Sequence, residues 1–212
     1  STSTKNMTRN LWKHLDSYAF ELDIIEKQYS SILKGESSVD ADREPFSPEE
    51  IHRLFTLDDE IARIALVYIY TGMRANELLN VPMEQIHIDE SYIIAGSKTA
   101  AGKNRYIPVH PVIRDIVAGY LERGYVSKMG YPALNARWKR YMKDCGFDKV
   151  IHECRHTFET EMDKAGADRK CIDLIIGHKA QDVGNRVYNH RTYEDLQNAI
   201  LLFPDYSLLV TH

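Results

Sequence analysis

The sequence is poor in cysteine: Cys145, Cys154 and Cys171 are the only three in 212 residues, widely spaced and without a CxxC pair. Such spacing excludes a disulfide frame and a zinc knuckle, and it reads as reduced thiols of an intracellular protein. No apolar run approaches the roughly 20 residues that a bilayer-spanning helix requires. The first residues lack a charged-then-apolar leader, so the expected location is the cytoplasm, with no membrane partner. Internal repeats and low-complexity tracts are also absent. Basic excess is missing too: 27 Lys and Arg against 31 Asp and Glu leave a formal charge of −4, which argues against a simple nucleic-acid binder.

The average hides an asymmetry. Acids dominate from Glu36 to Glu60, whereas bases dominate from Lys98 to Arg105 and again in Arg137-Trp138-Lys139-Arg140-Tyr141-Met142-Lys143. Contact with phosphates needs local cations, and a remote acidic flank weakens long-range attraction without abolishing it. Lys103, Arg105, Arg137, Lys139, Arg140 and Lys143 are therefore the candidate backbone contacts to a nucleic acid, set against the plainer reading of solvated surface charge.

Hydrophobic spacing organises the rest. Leu11, Leu15, Tyr18, Leu22, Ile25, Tyr29 and Ile32 recur three and four apart and predict a helix over 7–34, ended by Gly35. Residues 35–46 are polar, acidic and aperiodic, a linker. Nothing close in sequence covers the apolar face of the first helix, so it is expected to belong with a neighbouring domain. The main domain, 47–202, opens with Ser47 as N-cap before Pro48. A helix from Asp58-Asp59 to Gly72 and a short one from Ala75 to Asn80 follow. Alternation in 85–89, 92–95 and 105–109 predicts a small antiparallel sheet. Helices are then expected near 111–122, 132–145, 154–165, 169–176 and 193–202. The predicted fold is α+β, mainly helical, with one small sheet on its flank and an apolar tail at 203–212.

Several polar residues stand out. Arg74, just after Gly72 at the start of a short helix, presents a planar fork suited to a phosphate, and Glu77 one turn on would fix its head group. An ordinary surface ion pair is the alternative. Lys98 lies between two predicted strands, where a hairpin tip carries an ammonium over a ligand or simply keeps an edge soluble. His152 and Arg155 sit three apart on one helix face. His156 adds a competing pattern: His152-Glu153-x-x-His156 has the form of a zinc peptidase motif. Arg155 beside a dication and the lack of a third ligand motif weigh against it. His178 follows Gly177 at a helix end, as a structural histidine also would. Tyr188 and Tyr193 cannot be separated from the other tyrosines by composition.

Taken in order, Thr71-Gly72-x-Arg74-x-x-Glu77-Leu78, Ser97-Lys98-Thr99, His152-x-x-Arg155-His156-Thr157-Phe158, Gly177-His178 and Val187-Tyr188-Asn189-His190 resemble the catalytic domain of tyrosine recombinases, particularly integrases of phages and conjugative transposons. The resemblance runs from about 45 to 200. It implies that 1–34 ends a truncated core-binding domain. It further implies that Arg74 and Arg155 clamp a scissile phosphate, with Lys98, His152 and His178 beside them and Tyr188 as nucleophile. Tyr188 is preferred to Tyr193 because only it matches the Y-x-H context. Cys154 and Ile176 replace commoner leucines, both apolar exchanges. The implied activity is site-specific cleavage and rejoining of double-stranded DNA through a 3′-phosphotyrosyl bond, without metal or other cofactor. The implied assembly is a homotetramer on DNA, monomeric when free. Rival readings are a type IB topoisomerase, a zinc hydrolase and a catalytically silent DNA-binding module.

Overall fold

The computed structural model describes residues 2–33, 44–96, 104–178 and 191–208. Two compact units divide the chain, Ser1–Arg43 and Glu44–His212.

In the first unit the expected long helix is shorter. Helix α1 spans Thr2–Glu21 and ends because Asp23 turns left-handed, at φ 55°. Ile24 N donates to Ala19 O at 2.9 Å and Asp23 N to Phe20 O at 3.1 Å. Those two bonds form a Schellman closure, with Asp in the place that glycine usually takes. The chain then doubles back: Asp16 Oδ2 accepts from Ser30 N at 2.7 Å, and Ser30–Ile32 makes one 3-10 turn. Periodicity alone could not see this break, since Ile25, Tyr29 and Ile32 continue the spacing beyond it.

The second unit begins at Glu44, inside the stretch 35–46 expected to be linker, and Phe46 is already buried in its core. Helix α2, Pro48–Thr56, is capped reciprocally by Ser47 and Glu50. Helix α3, Glu60–Thr71, is buried along nearly its whole length, as a helix apolar on every side must be. Gly72 stops it in the left-handed conformation, at φ 61°. Helix α4, Ala75–Leu79, follows at once.

Strands β1, Ile86–His87, β2, Tyr92–Ala95, and β3, Arg105–Pro108, form an antiparallel sheet in the order β1-β2-β3. The register pairs Ile86 with Ile93, Ile93 with Ile107 and Ala95 with Arg105. One face therefore carries Ile86, Ile93, Ala95, Ile107 and Arg105 inward, while Tyr92 and Tyr106 fall on the other. The rest is helical: α5, Arg114–Arg123, α6, Tyr131–Asp144, α7, Ile151–Lys164, α8, Arg169–Ile176, and α9, Tyr193–Ile200. Helix α7 starts three residues before the expected 154 because Glu153 Oε2 accepts from Val150 N at 2.5 Å and caps the earlier turn. It packs along α3, and those two helices form the centre of the core.

The tail packs on this same unit as far as Tyr206. Phe203 is buried, its ring centroid 4.5 Å from that of Tyr70. Tyr70 Oη donates to Pro204 O at 2.9 Å, and the Tyr206 hydroxyl donates to Glu161.

Gly72 is the tightest point of this packing. A Cβ there would lie 2.7 Å from Phe158 Cδ1 on α7 and 2.8 Å from Ile176 Cγ2 on α8, at a φ that side chains disfavour. Overpacking and the left-handed backbone together should cost Gly72→Ala about 2–4 kcal/mol, measured by urea unfolding. A loss below about 1 kcal/mol would show that the three helices are not in close contact there.

Candidate active site

The turn after α3 collects the cations. Arg74 stands immediately before α4, and its backbone N–H donates to Glu77 Oε2 at 3.0 Å. Its Nη1 donates to Glu77 Oε1 at 2.8 Å and its Nη2 reaches Gly177 O at 3.5 Å. Gly177, left-handed at φ 69°, ends α8 and turns the chain so that His178 follows beside this cluster. From α7, Arg155 donates Nη1 to Gly72 O at 2.8 Å. Three separate helix ends thus bring Arg74, Arg155 and His178 together.

Arg155 is only 4% exposed. Its Nη2 is fully buried and has no hydrogen-bond partner among the described residues. Glu159, one turn along α7, lies 3.8 Å from Arg155 Nε and 4.0 Å from His178 Nε2. Burial, with Arg74 and Arg105 nearby, depresses the Arg155 guanidinium to about 10, against the opposing pull of Glu159 and Glu77. Burial and the same Arg155 also lower His178, which favours its neutral imidazole. A buried donor without an acceptor is costly. Here it sits where positive charge is crowded, the arrangement that an anion relieves.

Glu77 does more than pair with Arg74. Arg105, inward on β3 and 7% exposed, donates Nη2 to Glu77 Oε2 at 2.7 Å and Nη1 to Oε1 at 3.2 Å. Arg105 Nε donates to Ile175 O at 2.7 Å. Burial would raise the Glu77 carboxyl, but hydrogen bonds from Arg105 and Arg74 outweigh it and hold the group near 2. The expectation that Arg105 contacts a nucleic-acid backbone is therefore corrected, because its guanidinium is buried and already engaged. Strand alternation was the missed signal: Arg105 shares a face with Ile107.

The other expected residues divide as follows. His152 is exposed on the first turn of α7, its ring 4.8 Å from that of His156 in an edge-on contact. Glu153 is buried and spends its carboxylate on the cap of α7, which removes the base from the zinc-peptidase pattern. Arg137 is held by Asp59 and Glu60, both at 3.1 Å. Lys139, Arg140 and Lys143 are exposed on α6. Tyr193, the rival to Tyr188, donates its hydroxyl to Glu90 O at 2.6 Å and packs on Tyr92 and Tyr106. Burial pushes that phenol up to about 12, which makes it a poor nucleophile. Lys98, Lys103 and Tyr188 lie outside the described residues.

Tyrosine recombinase XerA of Pyrococcus horikoshii is 26% identical over 169 residues, covering 72% of this chain and 58% of its own. The chain spans between half and three-fifths of the length of curated relatives that it matches. Among solved structures, the Tn1549 transposon integrase in complex with a circular intermediate DNA superposes with a TM-score of 0.73 at 16% identity, covering 92% of this chain and 78% of that one. A lambda integrase tetramer bound to a Holliday junction gives a TM-score of 0.65 at 13% identity over 84% of this chain and 59% of that one. At those identities the likeness is one of fold. Residues 45–195, most of the chain, match the phage integrase family, and to that family the chain belongs.

Proposed function

We propose that this chain is the catalytic part of a site-specific DNA recombinase, cleaving and rejoining strands for the integration or excision of a mobile element. One observation carries the reading: the buried Arg155 Nη2, unpaired among the described residues and flanked by Arg74 and His178. Such a donor suits a non-bridging phosphate oxygen. The family match and the name of the XerA relative support the same conclusion.

In this reading Arg155 and Arg74 bind the two non-bridging oxygens, and charge that builds on them in the pentacovalent state is met by fixed donors in a water-poor site. Tyr188 attacks phosphorus, forming the Oη–P bond as the P–O5′ bond breaks. Neutral His178 accepts the phenolic proton, and His152 adds a donor. Lys98 delivers a proton to the departing O5′, which otherwise leaves as an alkoxide. The 3′-phosphotyrosyl product keeps the energy of the broken bond, so a 5′ hydroxyl from a partner strand reverses the step and regenerates Tyr188. Four protomers on two duplexes, monomeric before binding DNA, are the proposed assembly, by analogy with the lambda tetramer. Lys139, Arg140 and Lys143 are the proposed backbone contacts along α6. Residues 1–34 are read as the end of a preceding core-binding domain, and 35–46 as its connector.

Incubation with a nicked suicide duplex should trap a covalent adduct on a denaturing gel. Tyr188→Phe should abolish it and Tyr193→Phe should keep it; an adduct that survives Tyr188→Phe sinks the assignment. Arg155→Lys should slow cleavage by roughly 100-fold or more, since an ammonium lacks the fork and cannot serve both Gly72 O and a phosphate. Near-normal cleavage would take Arg155 out of the clamp.

The lowered His178 gives a signed pH dependence. As a base it works in the neutral form, so the second-order cleavage constant should fall on the acid side, at a pH below the ordinary imidazole range. His178→Asn should cut the rate and flatten this acid limb. An unchanged limb in the variant would assign the proton to another group.

A further inference from the structure

Arg105 is the side chain whose placement the recombinase chemistry above does not use. It begins β3, the strand that follows the connection carrying Lys98, and it is turned into the protein instead of toward solvent. Its three nitrogens reach two other elements, α4 and α8. Nη1 and Nη2 grip both oxygens of Glu77 on α4, at 3.2 and 2.7 Å. Nε holds Ile175 O at 2.7 Å, two residues before the Gly177 turn that leads to His178. The same Glu77 Oε1 accepts from Arg74 Nη1 at 2.8 Å.

We propose that Arg105 is a positioning residue for strand cleavage, acting through Glu77 to set the fork of Arg74 and through Ile175 O to set the turn before His178. The proposal rests on the recombinase reading and deepens it. Energetics favour a geometric role over a stabilising one. A buried ion pair gains little over an apolar pair of the same volume, because desolvation consumes most of the attraction. Burying a guanidinium beside Arg74 and Arg155 worsens that balance through like-charge repulsion. What Arg105 offers in return is rigidity. One planar group with fixed angles joins β3, α4 and the end of α8. Arg74 alone is poorly fixed, since its contact with Gly177 O is long at 3.5 Å. Glu77, gripped on both oxygens by Arg105, is the firm partner that aims it.

Arg105→Lys separates aim from charge. Lysine keeps a cation next to Glu77 but cannot hold both carboxylate oxygens and Ile175 O together. The variant should melt near the wild type and bind duplex within about three-fold of its affinity, while single-turnover adduct formation falls roughly 10- to 100-fold. In an Arg74→Lys background the further loss from Arg105→Lys should shrink to about two-fold or less, because both changes disable one device. Should Arg105→Lys fail to fold, the pair Glu77→Gln with Arg105→Gln, which leaves no buried charge between them, carries the same expectation. Wild-type cleavage by the variant, a rate loss matched by lost DNA affinity, or fully multiplicative losses with Arg74→Lys would each overturn the role of Arg105. Absence of any adduct from the wild-type chain would remove the recombinase reading itself, and the proposal with it.

Discussion

A guanidinium buried to 4% exposure, with one nitrogen unpaired among the described residues, is the constraint around which the second unit is arranged. Arg155 can stay charged there because Gly72 O accepts from it at 2.8 Å and Glu159 stands 3.8 Å away. The first of these depends on close approach of α3 and α7, while Glu159 stands one turn along α7 itself. That approach needs a residue without Cβ at the end of α3, where Phe158 and Ile176 leave no room for one. Packing and chemistry are thus the same problem: the glycine that lets three helices meet also turns its carbonyl toward the arginine.

Charge is organised locally, against the trend of the whole chain. The formal charge is −4, yet three guanidiniums share the space around Glu77. Two carboxylates, Glu77 and Glu159, moderate them from the protein side. Glu77 binds Arg74 and Arg105 directly, while Glu159 stays between 3.7 and 4.0 Å from Arg155, Arg169 and His178. Partial compensation of this kind leaves a site that is positive and pre-oriented before an anion arrives, which is where electrostatic stabilisation costs least at the moment of reaction. A lowered His178 fits the same field, since burial first and then the neighbouring Arg155 and Arg74 disfavour its protonated form.

The fold was largely readable because its signals are local. Ser47-Pro48 and the glycines at 72 and 177 mark helix ends by mechanism, and alternation marks the three strands. Where reading failed, a long-range or single-residue effect was responsible. Asp23 ends α1 by adopting a conformation more usual for glycine, which the apolar spacing around it conceals. Glu153 advances the start of α7 by capping Val150. In the site, the ordered motifs pointed to Arg74, Glu77, Arg155 and His178, and the chain does gather these four. Lys98 and Tyr188 rest on the motifs alone. Arg105 was misread because a basic cluster suggests a surface, although its two-residue offset from Ile107 already assigned it to the inner face. Glu159 gave no sequence signal: its importance comes from contacts with residues four and nineteen positions away, on another element in the second case.

The central claim concerns one atom. A crystal structure of the Tyr188→Phe chain on its uncleaved duplex would locate the scissile phosphate directly. The account predicts a non-bridging oxygen within about 3 Å of Arg155 Nη2, with Arg74 on the other oxygen. A phosphate bound elsewhere, or Nη2 satisfied by a protein carbonyl while DNA lies in place, would contradict it.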